Sequence, residues 1–259
     1  MGKSQLRPYS LDEMAETNKA KDIYERYGVI HINGFFNGLL CKEAISEIIE
    51  FENKLQGKIN LDNVVTEEID DQTFLKYAQL IRSDKTIFRK FCNSKLLNFS
   101  SKLLDDDDLY INNLEVHIRN PGGSSIPKHQ DNFYFNLTKP KALTAYIALN
   151  DQSKDNGGLH FIEKSQKDGL YQHFPSKELG FSSQLTSDAD YGKSNIYVPE
   201  YIPGDVTFHN INNIHYAESN PINNERTFSL SVRVYSSQAQ VDQIALNRYL
   251  NFRNKNREC

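Results

Sequence analysis

The clearest alternation of apolar and polar positions lies near the C-terminal end, from Thr227 to Tyr235. Every second residue here is apolar, as in a β-strand that has one apolar and one polar face: Phe228, Leu230, Val232 and Val234. Arg226 shares the parity of these apolar residues. We therefore expect its side chain to point into the fold, where a buried guanidinium needs an anionic partner.

Further strand patterns occupy the middle of the chain. Leu143 to Leu149 is a β-prone run, and Tyr201 to Phe208 is typical of a turn that enters a short strand. Between Asn113 and Arg119, apolar residues alternate with four polar ones: Asn113, Glu115, His117 and Arg119. A polar face of this kind either meets solvent or lines a binding pocket. In the second case His117 and Arg119 become candidate substrate residues, and Arg119 a candidate anion binder.

Helical spacing of apolar residues marks both ends of the chain. It covers Leu11 to Tyr27, Lys42 to Leu55 and a longer region from Gln72 to Leu104, and a short strand, Gly28 to Ile32, separates the first two. The tail from Ser236 onward predicts one more short helix. The pattern as a whole indicates a mainly β protein with flanking helices.

Composition narrows the class of protein. The 259 residues are enough for a large core, the net charge is −4, and the basic residues are dispersed among acids. This argues against nucleic acid as a partner. The apolar runs are too short to span a bilayer and the N-terminus lacks a secretory signal, so we expect a cytoplasmic protein without a membrane partner. Three distant cysteines predict neither disulfides nor a zinc site.

The chemistry of the chain is concentrated in His129-Gln130-Asp131 and in His215, which precedes Arg226 by eleven positions. Two imidazoles and one carboxylate occupy one face of an octahedral metal ion and leave three positions open, as in non-haem Fe(II) oxygenases. An arginine on a later strand can hold a dicarboxylic acid whose other end reaches the metal. His209 competes with His215 as the second imidazole, and the spacing to Arg226 favours His215.

The stretch from about Leu114 to Tyr235 resembles the phytanoyl-CoA dioxygenase family of Fe(II)/2-oxoglutarate oxygenases. His129-Gln130-Asp131 is similar to the family's HQD motif, and the remaining motifs follow in the family's order: Asn156-Gly157-Gly158-Leu159, Gly204-Asp205-Val206, His215, Asn220 and Arg226. The chain departs from the family at Lys164-Ser165-Gln166 and at Ala217. Because Ala217 replaces a small hydroxyl residue, Thr144 becomes the candidate for a hydroxyl near the bound acid.

The resemblance implies a double-stranded β-helix, also called a jelly-roll or cupin-like fold, with iron at its mouth. We expect one oxygenase domain, 1–259, with three parts: a helix-rich part, 1–108, packed on the barrel, a jelly-roll core, 109–236, and a helical tail, 237–259. His129, Asp131 and His215 would bind Fe(II), and Arg226 and Thr144 would bind 2-oxoglutarate. O2 is the other co-substrate. Phe133 joins His117 and Arg119 as a candidate substrate residue.

The implied reaction is hydroxylation of an unactivated C–H bond in a small polar metabolite, with release of succinate and CO2. Desaturation, cyclisation and demethylation are alternatives that use the same cofactors. A jelly-roll protein that binds a metal or a ligand without oxygen chemistry is an alternative of another class. The sequence leaves open whether the protein is a monomer or a homodimer.

Overall fold

The computed structural model describes residues 4–14, 18–55, 64–79, 87–139, 141–178, 180–186, 195–221 and 225–257, with side chains described up to residue 251. Five α-helices are present in these ranges: α1 Lys19–Tyr27, α2 Gly38–Leu55, α3 Ser94–Leu104, α4 Asn132–Phe135 and α5 Gln243–Arg257. Short 3-10 helices cover Asp12–Met14, Ile87–Lys90, Lys154–Asn156 and Ser165–Asp168.

The strands account for most of the middle of the chain. In chain order they are β1 Pro8–Tyr9, β2 Val29–Ile32, β3 Val64–Ile69, β4 Gln72–Gln79, β5 Leu109–Arg119, β6 Ile126–His129, β7 Leu137–Lys139, β8 Ala142–Ala148, β9 Leu159–Ile162, β10 Phe174–Pro175, β11 Ser183–Gln184, β12 Ile196–Tyr197, β13 Val206–Asn210, β14 His215–Ala217, β15 Thr227–Ser236 and β16 Gln240–Val241.

Two sheets built from these strands face each other. The large sheet has the order β1-β2-β13-β8-β15-β5-β4-β3, and the small sheet has the order β12-β9-β14-β6. Apart from the parallel β1–β2 pair, neighbouring strands in both sheets run antiparallel. This arrangement confirms the expected mainly β, double-stranded β-helix fold. The division into one domain with three parts stays a prediction.

The central strands of the large sheet, β2, β13, β8 and β15, are buried on both faces. The apolar face of the sheet packs against the helices in the main core, which includes Phe35, Ile48, Phe99, Phe208 and Leu230. Its other face turns toward the small sheet and carries polar residues such as Thr144, His209 and Arg233 around a cavity. Since nearly every residue of β15 is buried, burial does not distinguish its helix-facing side from its cavity-facing side.

The predicted helical region from Gln72 to Leu104 needs a correction. Its first part is strand β4, which pairs with β3 on one side and β5 on the other, and only Ser94–Leu104 forms an α-helix. Leu80 and Ile81, which also belong to the predicted helix, lie outside the described residues. Backbone pairing on both sides of β4 prevails over the helical spacing of its apolar side chains. As a result Tyr77 and Gln79 reach the cavity.

Candidate metal centre

Three side chains converge where the small sheet meets the cavity. His129 ends β6, Asp131 follows two residues later, and His215 begins β14, directly opposite His129 in the antiparallel pairing. One ligand atom from each of these residues lies within 4.8 Å of the other two. Each imidazole Nε2 is 3.7 Å from Oδ1 of Asp131. The structure therefore brings together the three predicted metal ligands.

Hydrogen bonds determine which imidazole nitrogen faces this cluster. Nδ1 of His129 contacts the carbonyl oxygen of Pro127 at 2.8 Å, and Nδ1 of His215 contacts that of Asn213 at 3.0 Å. A carbonyl oxygen only accepts, so both Nδ1 atoms carry the proton and both Nε2 lone pairs point toward Asp131. Backbone carbonyls commonly fix metal-binding histidines in this way.

The protonation states also suit a metal. Burial lowers the pKa of His129 and lowers that of His215 well below its usual range, so both rings are neutral at pH 7. Burial alone would raise the pKa of Asp131, but the imidazoles around it, His215 foremost and His209 through a hydrogen bond, hold it well below its usual range. Three electron-pair donors thus lie within 4.8 Å of one another, and both imidazole Nε2 atoms are 3.7 Å from the carboxylate Oδ1. A cation fits this donor set.

His209, the competing candidate, lies beside this set. Its Nε2 is 3.3 Å from Oδ2 of Asp131, whereas the contacts of the other two imidazoles are with Oδ1. The hydroxyl of Thr144 donates to the same Oδ2 at 2.6 Å. Thr144 was predicted to bind the co-substrate, whereas in the structure its hydroxyl bonds to the ligand carboxylate.

A cavity of about 630 Å³ extends from this cluster, within the usual size range of small-molecule sites. Near the cluster, its wall includes the aromatic side chains of Tyr134, Phe181 and Tyr249. His117 and Arg119, two predicted substrate residues, line it as well. Phe133 lies beside the cavity instead, where it stacks on His173 with ring centroids 4.3 Å apart.

Arg226 is not in the cavity, and its predicted place needs a correction. It lies on the helix side of the large sheet, where its guanidinium forms two hydrogen bonds of 2.8 and 2.9 Å with Glu52 of α2. Its Nε donates to Asn120 at 2.8 Å. The expected anionic partner is therefore a carboxylate of the protein. Arg226 lies on the same side of the chain as the apolar residues of β15, and this side packs against the helices.

Arg119 lies close to Arg226, but its side chain is on the cavity side of the large sheet. It pairs across β5 and β15 with Thr227, the residue after Arg226. Its side chain is 4% exposed, and it donates to the carbonyl oxygens of Ser124 and Glu218 at 2.6 and 3.1 Å. Its Nε has no hydrogen-bond partner. Within the described part of the chain, no carboxylate lies within ion-pair distance of this buried cation.

The turn that carries the Asn-Gly-Gly-Leu motif leaves room for this arginine. Gly157 has φ +81°, and a Cβ there would lie 3.3 Å from the carbonyl oxygen of Glu218 and 3.4 Å from Nε of Arg119. The turn is held by a capping box between Ser153 and Asn156. A larger residue at position 157 would be strained and would crowd the guanidinium.

A second cation, Arg233, is partly buried and also lines the cavity, but its charge is compensated. Its guanidinium contacts both carboxylate oxygens of Glu115 at 2.7–2.8 Å. Glu115 also accepts hydrogen bonds from Asn113 and Gln79. Tyr77, Gln79 and Arg233 line the cavity without having been predicted to, whereas Glu115 belongs to the polar strand face for which a pocket was one of two expectations. The alternation of polar residues on β15 was the available signal for Arg233.

In the part of the chain that the structure describes, the helices are all too short or too polar to cross a bilayer.

Comparisons with known proteins identify the family and the fold. The protein-family model described as phytanoyl-CoA dioxygenase (PhyH) matches residues 24–227. A curated relative, the phytanoyl-CoA dioxygenase domain-containing protein 1 homolog of Dictyostelium discoideum, is 29% identical over 108 residues, which are 40% of this chain and 38% of that protein. The chain thus matches well under half the length of this relative.

Solved structures share the fold. EctD from S. alaskensis with 2-oxoglutarate and 5-hydroxyectoine has a TM-score of 0.67 and 18% identity, covering 88% of this chain and 78% of that one. The epimerase SnoN in complex with Fe3+, alpha ketoglutarate and nogalamycin RO also has a TM-score of 0.67 and 18% identity, covering 90% and 88%. The family model spans most of the chain, and the protein belongs to the phytanoyl-CoA dioxygenase family.

Proposed function

We propose that the protein is an Fe(II)/2-oxoglutarate-dependent oxygenase in which His129, Asp131 and His215 bind the iron. The observation that carries the proposal is the convergence of two imidazole lone pairs on one carboxylate oxygen inside a small-molecule cavity. Family membership supports the same class of enzyme. With O2, iron and 2-oxoglutarate supply the oxidant and release succinate and CO2.

Arg119 is the residue we propose for the far carboxylate of 2-oxoglutarate. It is buried, lines the cavity and has an unpartnered Nε, whereas the guanidinium of Arg226 is already paired with Glu52. Arg233 is less suited because Glu115 neutralises it. A buried guanidinium without a carboxylate gains most from an incoming one. The side chain thus positions the co-substrate with its 2-oxo acid end toward the ligand cluster.

The proposed reaction is hydroxylation of an unactivated C–H bond in a small polar metabolite. The cavity volume of about 630 Å³ leaves room for a compact substrate beside 2-oxoglutarate, and His117 provides a polar contact in its wall. The protein's own contribution is positioning and exclusion of water, because the oxidising chemistry belongs to the metal and its co-substrates. Desaturation, cyclisation and demethylation remain outcomes that the same site supports. We propose a cytoplasmic location.

Succinate formation from 2-oxoglutarate in air, with Fe(II) present and a panel of polar metabolites, tests the proposal. We expect succinate to depend on iron and to rise with the substrate. Arg119→Ala should raise the KM for 2-oxoglutarate roughly 100-fold, since a lost charge-assisted pair costs about 3 kcal/mol. Arg226→Ala is the matched control and should leave this KM nearly unchanged.

Two results would count against the proposal. A protein that binds the metal but forms no succinate with any metabolite would point to a binding module without oxygen chemistry. If Arg226→Ala raised the KM and Arg119→Ala did not, the class of enzyme would stand and the assignment of the anchor would be wrong.

A further inference from the structure

The two oxygens of Asp131 have different surroundings. Oδ1 lies 3.7 Å from Nε2 of both His129 and His215, while Oδ2 is the oxygen that accepts hydrogen bonds from other residues. Two donors reach Oδ2: the hydroxyl of Thr144 at 2.6 Å and Nε2 of His209 at 3.3 Å. One carboxylate oxygen is thus directed to the ligand cluster and the other is held by the protein.

His209 acts here as a hydrogen-bond donor. Its ring is 1% exposed, and its Nδ1 has no hydrogen-bond partner. With the proton on Nε2 the ring donates to Asp131, whereas the other tautomer would set an Nε2 lone pair against the carboxylate. The compact set of ligand atoms contains His129, Asp131 and His215 and does not include His209.

Adjacent strands of the large sheet supply both donors. Thr144 on β8 and His209 on β13 are directly paired in the antiparallel ladder, so their side chains lie side by side on the cavity face. The small sheet supplies the two imidazoles of the cluster, one from β6 and one from β14. Donors from the large sheet therefore contact Oδ2 of Asp131, and imidazoles from the small sheet lie near its Oδ1.

We propose that Thr144 and His209 are positioning residues that make Asp131 a one-oxygen ligand. An unrestrained carboxylate can turn and offer both oxygens to a metal. A second oxygen would take one of the three open positions that a facial triad provides. By holding Oδ2, the pair keeps room for a two-point chelator such as 2-oxoglutarate and for O2. This inference rests on the proposed metal site.

Anaerobic titration calorimetry with Co(II), followed by 2-oxoglutarate, tests the inference without turnover. Thr144→Val removes the hydroxyl at nearly constant volume, and Thr144→Ser restores it. We expect Thr144→Val to weaken Co(II) binding roughly 10- to 100-fold, the usual effect of losing a partner of a metal ligand. The 2-oxoglutarate affinity of the Co(II) form should fall as well, while Thr144→Ser stays close to wild type.

His209 is tested with a matched pair of variants. His209→Gln keeps an N–H donor and should retain most of the Co(II) affinity, whereas His209→Leu should lower it to the level of Thr144→Val. In the double variant Thr144→Val/His209→Leu, the two losses should not add, because both residues hold the same oxygen. The melting temperature of each metal-free variant shows whether it folds, and the nearly isosteric Thr144→Val carries the test if His209→Leu does not.

Three outcomes would overturn the inference. Wild-type Co(II) affinity in Thr144→Val, with only a lower melting temperature, would reduce the contact to a structural role. Loss of Co(II) binding in both His209→Gln and His209→Leu, as severe as in Asp131→Ala, would make His209 a ligand. If Co(II)-loaded Thr144→Val bound 2-oxoglutarate as tightly as the wild type, the hydrogen bond to Oδ2 would not be what keeps coordination positions open for 2-oxoglutarate. Absence of Co(II) binding in the wild type would instead contradict the proposed function.

Discussion

The ion pair between Arg226 and Glu52 joins the large sheet to helix α2. Parity along β15 correctly indicated a side chain turned into the fold, and the guanidinium does have an anionic partner. Both faces of β15 are buried, however, and alternation alone does not tell which face lines the cavity. His129 and Asp131 were easier to predict because they are two residues apart, so local geometry brings them together.

Arg226→Ala should therefore affect stability rather than co-substrate binding. It breaks a pair whose side chains are 23% and 16% exposed, so we expect a loss of about 1–3 kcal/mol in the free energy of unfolding. Urea unfolding measures the change. Glu52→Gln is the matched variant, since it keeps an acceptor for the backbone N–H of Leu75. The double variant should be no worse than either single one, and full additivity would contradict the pairing.

His173 provides a pH-dependent test at the same scale. Burial lowers the pKa of this imidazole to about 4, so between this value and the usual 6.5 the unfolded chain binds a proton that the folded protein does not. Stability therefore rises with pH across this window and is lost as the pH falls through it. The loss approaches about 3 kcal/mol at the acidic end.

Urea unfolding of the metal-free protein, repeated across this pH window, measures the effect against His173→Gln. The glutamine keeps an acceptor for the backbone N–H of Gln130, which His173 now provides. The variant should show a shallower dependence of stability on pH. Equal slopes for the two proteins would mean that His173 titrates in the folded state near its usual pKa.

At the scale of elements, the core strands were more predictable than the segments that cover the barrel. Strands β8 and β15 have strong local patterns, and the structure contains both. Strand β4 was predicted as a helix because its apolar spacing is compatible with one, and only its pairing with β3 and β5 distinguishes the two. The predicted C-terminal helix is present as α5.

Helix α5 contributes directly to the cavity through Tyr249. The Tyr249 ring makes edge-to-face contacts with Phe133 and Tyr134, at centroid distances of 5.7 and 5.8 Å. Tyr134 in turn lies edge-on to the ring of His129, with centroids 6.0 Å apart. Aromatic contacts therefore connect the tail to His129, a proposed metal ligand.

A fluorescent reporter tests this position, because the chain contains no tryptophan. Tyr249→Trp places a single indole at the cavity wall, and Co(II), which absorbs visible light and is paramagnetic, should quench its emission. Tyr110→Trp is the control, since Tyr110 is 46% exposed and lies outside the cavity. Equal quenching of the two indoles would contradict the placement of α5 over the site.

At the scale of the molecule, the order of motifs predicted the fold, and the structure and family membership confirm it. The residue proposed to anchor the co-substrate and the residues that contact Oδ2 of Asp131 were harder to predict from the sequence. Arg119, Thr144 and His209 come from β5, β8 and β13 of the large sheet, where β13 pairs with β8 and β15 lies between β8 and β5. Their juxtaposition depends on sheet order and register, which alternation within one strand does not specify.

The central claim is that His129, Asp131 and His215 bind iron in the cavity and that 2-oxoglutarate chelates this iron. Anaerobic titration of the Fe(II)-loaded protein with 2-oxoglutarate tests this claim most directly. We predict a weak visible charge-transfer band that saturates with 2-oxoglutarate, is absent in His129→Ala and requires far more 2-oxoglutarate in Arg119→Ala. A folded, iron-loaded wild-type protein that develops no such band would contradict the account.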